Sequence, residues 1–235
     1  MVARLKLTSK LIPWYLLLKA IALGAAWVFL PFWVFLLFAI YFYFSSFFQS
    51  AKLFWPFLLT LAFAYVFEPT FPHAVFFGAA FFLIFGIKDL AFINRLAAYE
   101  ILAFLLLFLL SLNFFLTFGS WGNSWIFLAS LAASVIFFIL AKGLVDYGEF
   151  SVDRAKKIAG IGVAAFLLWQ LSWAAIFLPI NPFYQAALVF LLAAIFLDLL
   201  LDYFAGRLTR ERIFAEFILF IVFGGLIFFG TQWSL

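Results

Sequence analysis

From Leu11 to Ser50 the chain runs for forty residues with Lys19 as its only charged side chain. As one continuous α-helix that run would reach ~60 Å, about twice the roughly 30 Å of a bilayer's hydrocarbon core. It has to fold back on itself. Pro31 is the expected turn, because proline has no N–H with which to continue a helical ladder. Comparable apolar stretches fill the rest of the chain, divided only by short polar groups.

Such stretches restrict the solvent as well as the fold. Charged residues make up 10% of the 235 positions and hydrophobic ones 70%, with 40 Phe; a soluble domain carries roughly 25% charge. Lipid is therefore the solvent for most of the surface. Backbone groups in lipid must bond internally, so only helices or closed barrels span. The apolar runs are continuous, not alternating, which selects helices. The longest polar stretch, Lys142 to Lys157, is too short for a core of its own. The expected fold is an all-α polytopic integral membrane protein, one transmembrane helical domain over residues 1–235 with no soluble domain.

Breaks at charges, Pro and Gly divide the chain into nine candidate spans: 12–29, 32–49, 53–67, 73–87, 96–117, 124–145, 158–178, 183–204 and 212–231. The third and fourth, at about 15 residues or ~22 Å, are short for a bilayer and could form a hairpin that does not fully cross. That would lower the count to seven without changing its parity.

The basic residues test this division. With a cytoplasmic N-terminus, nine spans put Arg4, Lys6 and Lys10 inside, then Lys52, then Lys88 and Arg95. Lys142, Arg154, Lys156 and Lys157 follow, and finally Arg207, Arg210 and Arg212. The opposite side receives Leu30–Pro31, Glu68–His73, Gly119–Asn123, Pro179–Asn181 and the C-terminus, none carrying Lys or Arg. A single crossing over residues 11–50 would invert everything after it, so the positive-inside rule requires two. The N-terminal residues resemble a signal peptide in pattern, but Lys19 and the apolar run after it point to an uncleaved first span. Trp121, Trp125 and Trp233 fall near the outer face and Trp55 near the inner one, as interfacial indoles do. Trp169 and Trp173 fall deeper.

The residue inventory excludes several chemistries. There is no Cys, which removes disulfides, thiolate metal sites and Cys nucleophiles. His73, the single His, cannot build a multi-His metal site, ligate haem in a pair or serve a buried Ser–His protease centre. The net charge of +4 is spread over short loops and reads as topology, not as a nucleic-acid surface. No cofactor is implied. The expected partners are membrane lipids and other membrane proteins.

Four ionisable side chains lie within spans: Lys19, Glu100, Asp198 and Glu216. An intramembrane charge costs on the order of 2.5–3.5 kcal/mol at a helix centre and is a functional candidate by default. All four fall in the basic half of their spans. Glu216 shares a helix face with Arg212, and Asp198 shares one with Asp202. Lys19, Glu100, Asp198, Asp202 and Glu216 form a candidate polar site for a cation, proton or lipid headgroup; interhelical ion pairs that fix packing are the alternative. The outer half holds Asn113, Gln170 and several Ser, too few titratable groups for a proton relay. Gln170 reads as interhelical hydrogen-bond glue. Small residues recur four apart at Ala129 and Ala133, Ser130 and Ser134, and Gly160 and Ala164, with Gly224 and Gly225 near the end; such spacing permits close helix approach.

In residues 142–157, Asp146, Glu149 and Asp153 would share one face if the segment were helical, and two or three carboxylates can hold Mg²⁺ with a substrate phosphate. Residues Asp146 to Arg154 resemble the second acidic motif of membrane-embedded prenyltransferases. The resemblance implies nine helices and a Mg²⁺-diphosphate held by Asp146, Glu149 and Asp153. The family's other motif would follow the second span, where residues 47–55 carry no acid. The leading expectation is therefore a membrane-embedded scaffold or accessory subunit, in a bacterial-type inner membrane. A small-molecule or lipid transporter and a divergent prenyl-type transferase are the alternatives.

Overall fold

The computed structural model describes residues 14–45, 51–89, 91–92, 94–117, 123–148 and 150–230. Among them it contains nine α-helices and no strand. We number these α1 (Trp14–Phe29), α2 (Phe32–Phe44), α3 (Phe54–Val66), α4 (Phe71–Lys88), α5 (Arg95–Thr117), α6 (Asn123–Tyr147), α7 (Arg154–Ile176), α8 (Pro182–Phe204) and α9 (Arg210–Gly230). A 3₁₀ turn, Ala51–Leu53, leads into α3. The last six helices are long and apolar enough to cross a membrane; α1, α2 and α3 are apolar but shorter.

The turn between α1 and α2 falls where proline demands it. Leu30 still donates its N–H to the carbonyl of Ala26, at 2.9 Å, and Pro31 then caps α2 with extended backbone at φ −56°, ψ 143°. The fourth helix is longer than the sequence suggested. It begins at Phe71 and takes in Pro72, which a helix tolerates in its first turn, and it runs on to Lys88. Of the expected short pair, only the third helix, at 13 residues, is short.

The chain forms two compact units, residues 1–105 and 106–235. In the first, α1 packs against α2 and α4, and α3 against α4. The α1–α4 crossing depends on small residues. A Cβ on Gly24 would lie 3.0 Å from the carbonyl oxygen of Ala74, and one on Gly78 would lie 3.6 Å from that of Ala20. Ala20 with Gly24, and Ala74 with Gly78, make two small-residue pairs at four-residue spacing, face to face. Trp27 reaches across to α3, its indole N–H donating to Ala64's carbonyl at 2.8 Å. Phe35, Phe57, Phe77 and Phe81 fill the interior.

In the second unit α6, α7 and α8 pack in sequence, and α9 lies against α8. Gly160 of α7 faces the Phe204 ring of α8, 3.1 Å from where its Cβ would be. Gly224 and Gly225 behave differently. A Cβ on Gly224 would meet only Phe220 of its own helix and one on Gly225 nothing within 4 Å, so these glycines bring no neighbouring helix close among the described residues.

Turn chemistry sets the helix ends here. Asn181 caps α8 by accepting from the N–H of Phe183, with Pro182 as the first helical residue. Gln185 is buried and donates to the carbonyl of Leu178 at 3.0 Å, completing the end of α7. The C-terminus of α8 is a Schellman motif: Gly206 adopts φ +66°, its N–H bonds to Tyr203, and the N–H of Arg207 bonds to Asp202. Thr209 then caps α9 by accepting from the N–H of Arg212.

Candidate functional site

The α8–α9 turn brings three carboxylates of the candidate polar site around one guanidinium. Arg212 Nε donates to Asp202 at 2.8 Å, and its Nη2 lies 3.2 Å from Glu216 one turn on. Asp198, one turn before Asp202, is close enough to act on the same guanidinium electrostatically. Glu216 is nearly closed off, its side chain 6% exposed, whereas Arg212 is 46% exposed. Arg212 thus bridges the buried acid to the surface. The Schellman turn makes this possible by reversing the chain within a few residues, so that the start of α9 faces the last turns of α8.

The other end of α9 is tied as well. Tyr184, in the first turn of α8, donates its hydroxyl hydrogen to the carbonyl of Gly230 at 3.0 Å. Between these two ties the helix is largely uncovered by the described residues. Only 11% of its apolar window is buried, against 33–50% in the other five long helices. Phe214, Phe217, Ile221, Phe223 and Phe229 are among its exposed side chains.

Lys19 and Glu100, the remaining members of the candidate polar site, belong to the first unit. The ammonium of Lys19 lies 5.5 Å from the ring of Tyr15 and 6.0 Å from that of Phe42. Glu100 is half-buried on α5 and is engaged with its surroundings.

Sequence reasoning missed the most deeply buried charge. Lys88 was assigned to a basic loop, but it ends α4 with 1% exposure. Its ammonium makes no hydrogen bond among the described residues and sits 3.9 Å from the centroid of the Tyr43 ring. Tyr43 in turn stacks on Phe57 at 4.1 Å and 17°. Position helps hold the charge, since a helix C-terminus favours a cation and an aromatic face attracts one.

A second polar cluster joins residues that the sequence presents separately. Ser130, fully buried on α6, accepts the indole N–H of both Trp169 and Trp173 at 3.0 Å each and donates to the carbonyl of Phe127 at 2.8 Å. A hydroxyl has one donor and two acceptor sites, and all three are used. Ser134 donates to the Ser130 carbonyl, and Ser172 to that of Leu168. A cavity of about 20 Å³, with Ser111, Ser134 and Ser172 among its lining, lies in the same unit. It is large enough for about one water molecule.

The acidic segment 142–157 does not form a continuous helix. Helix α6 ends at Tyr147 and α7 begins at Arg154, so Asp146 and Asp153 sit on different elements and share no helical face. Asp153 occupies the N-cap position of α7, and Lys157 donates to the carbonyl of Phe150 at 2.7 Å. Glu149, the third residue of the proposed Mg²⁺ site, lies outside the described residues. Among the described residues no group of three acids or His could hold a metal ion. His73 packs its ring against Phe67, with Nδ1 2.8 Å from the Thr70 hydroxyl, a local tie at the start of α4.

No family model matches the chain, and no curated protein or solved structure is significantly similar to it.

Proposed function

We propose that the chain is a polytopic scaffold or accessory subunit of a bacterial-type inner membrane, with nine spans, a cytoplasmic N-terminus and an external C-terminus. The one-sided distribution of Lys and Arg supports that topology. The observation that carries the scaffold reading is α9. A helix held to its neighbour by one ion-paired cluster and one tyrosine, with nearly all its apolar surface left outside, is built to meet lipid or another protein's helices. Of the acids a transporter would use, Glu216 is instead paired with Arg212, as is its neighbour Asp202.

Mild-detergent purification followed by native mass spectrometry tests the role. The expected result is a stoichiometric protein partner that is lost in Phe214→Ala/Phe217→Ala/Ile221→Ala, three changes on the outer surface of α9 that leave its two ties intact. A chain that emerges alone with a defined small molecule would transfer the assignment to transport, and Asp198→Asn would then be expected to stop the flux. The topology has its own test. A single Cys placed at Asn181 in this Cys-free chain should react with impermeant maleimide from outside the cell, and one at Asp153 only after the membrane is opened.

A further inference from the structure

Within its apolar stretch helix α7 exposes one polar side chain, Gln170, which lies near the middle of that stretch. The stretch covers residues 158–178, so Gln170 is two positions beyond its centre, or ~3 Å at about 1.5 Å per residue. Gln170 is exposed, and its amide makes no hydrogen bond among the described residues. It opens onto an aromatic groove formed with Phe127, Trp169 and Trp173. Both indoles of that groove have already spent their N–H on Ser130. Among the described residues Gln170 is therefore the only hydrogen-bonding group the groove has to offer. In lipid an amide without partners is costly, and neither tail carbons nor water at that depth can satisfy it.

We propose that α7 pairs with α7 of a second copy of this chain, with the two Gln170 amides bonded to each other across a two-fold axis. Hydrogen-bond complementarity selects this occupant. An amide is both donor and acceptor, so two copies satisfy each other reciprocally. A two-fold interface also brings a residue near the axis against itself. The outward stripe on either side suits close approach: Ala159, Val163, Phe166, Gln170 and Ala174 recur at helical spacing and are exposed. A Cβ on neighbouring Gly162 would meet nothing within 4 Å. A lipid chain would fill the groove but leave the amide unsatisfied.

The inference rests on α7 crossing the membrane, part of the reading above, and the test separates the two. Phe166→Cys, one turn from Gln170 on the same stripe, is made in the full-length Cys-free chain in native membranes. Treatment with a short thiol–thiol cross-linker is expected to give a covalent dimer, and Phe223→Cys on α9 is the control expected to give none. Adding Gln170→Leu should lower the dimer yield on the order of tenfold, as the loss of two interhelical hydrogen bonds implies. Ala174→Cys serves as the second probe should Phe166→Cys not accumulate. If both positions are shielded from impermeant maleimide yet neither cross-links, the pairing is overturned and the membrane placement survives. Labelling of Phe166→Cys from water overturns both. Cross-linking that Gln170→Leu leaves unchanged, or that captures a different protein, overturns the pairing through Gln170.

Discussion

The two units hold their buried charges in opposite ways. In the first, Lys88 is buried and its charge is met by the face of Tyr43. In the second, buried polar groups are met by other polar groups: Glu216 by Arg212, and two indoles by Ser130. The helix crossings differ too. The first unit brings α1 and α4 together backbone to backbone at Gly24 and Gly78, whereas the second places the Phe204 ring against Gly160. The contrast teaches where each unit is sensitive. The first depends on shape at one crossing, and the second on a few hydrogen-bonded side chains.

The largest effect should come from Gly24→Leu. Its Cβ alone would stand 3.0 Å from a backbone oxygen, which cannot rotate away, and the rest of the side chain has no room between α1 and α4. Overpacking costs about 1–3 kcal/mol where side chains can adjust, so a backbone obstacle should reach or exceed the upper end. Unfolding in mixed detergent micelles should show it, and Gly225→Leu, which faces open space, should be near neutral. Equal losses at the two glycines would remove the claim that the first unit depends on this crossing.

Next comes Arg212→Met. It leaves Glu216 closed off without its counter-charge, which in a fully buried pair costs about 3–5 kcal/mol. Arg212 is almost half exposed, so water can reach the pair, and a loss of about 1–2 kcal/mol is expected. The double change Arg212→Met/Glu216→Gln should recover most of it. If the double variant is no better than the single one, the pair does not hold α9 to α8 in the manner described.

Much of this was legible in the sequence, and the exceptions share a cause. Every helix falls on an expected span, because long apolar runs between charges leave a chain in lipid few other choices. Pro31 marked its turn for the same local reason. The Arg212–Glu216 pair followed from four-residue spacing. Gly24 and Gly78 were missed although both show that spacing with Ala20 and Ala74. Small residues also occur on a helix where no neighbour meets them, as at Gly224 and Gly225, so their presence on one helix does not identify a contact. Lys88 was missed because a lysine at a helix end has the same sequence signature whether it turns to solvent or inward. Ser130 looked ordinary because its partners, Trp169 and Trp173, are about forty residues away.

Ser130→Ala examines the second unit's dependence on hydrogen bonds. The change removes one oxygen and leaves two half-buried indole N–H groups without an acceptor. Interhelical hydrogen bonds in membranes average about 0.6 kcal/mol, so about 1 kcal/mol is expected in all. A red shift in the fluorescence of Trp169 and Trp173 would report indoles turned toward new partners. Ser130→Thr keeps the oxygen and should retain the wild-type spectrum. A shift of equal size in both variants would mean that cavity shape, not the hydroxyl, orders the indoles.

The smallest and most discriminating effect is expected at Lys88. Replacing a buried charged group with an apolar residue of similar volume is often neutral or stabilising, because the cost of drying the charge vanishes with it. A cation over a desolvated aromatic face recovers about 2 kcal/mol, which offsets part of that cost. Lys88→Met should therefore change stability by less than about 1 kcal/mol, and in the favourable direction. Tyr43→Leu should do the opposite, since it keeps the ammonium and removes both its aromatic face and the stack on Phe57. The sign of the pair is what matters. Should Lys88→Met destabilise as much as Tyr43→Leu, the ammonium would be holding the first unit together through polar bonds, and the contrast between the two units would disappear.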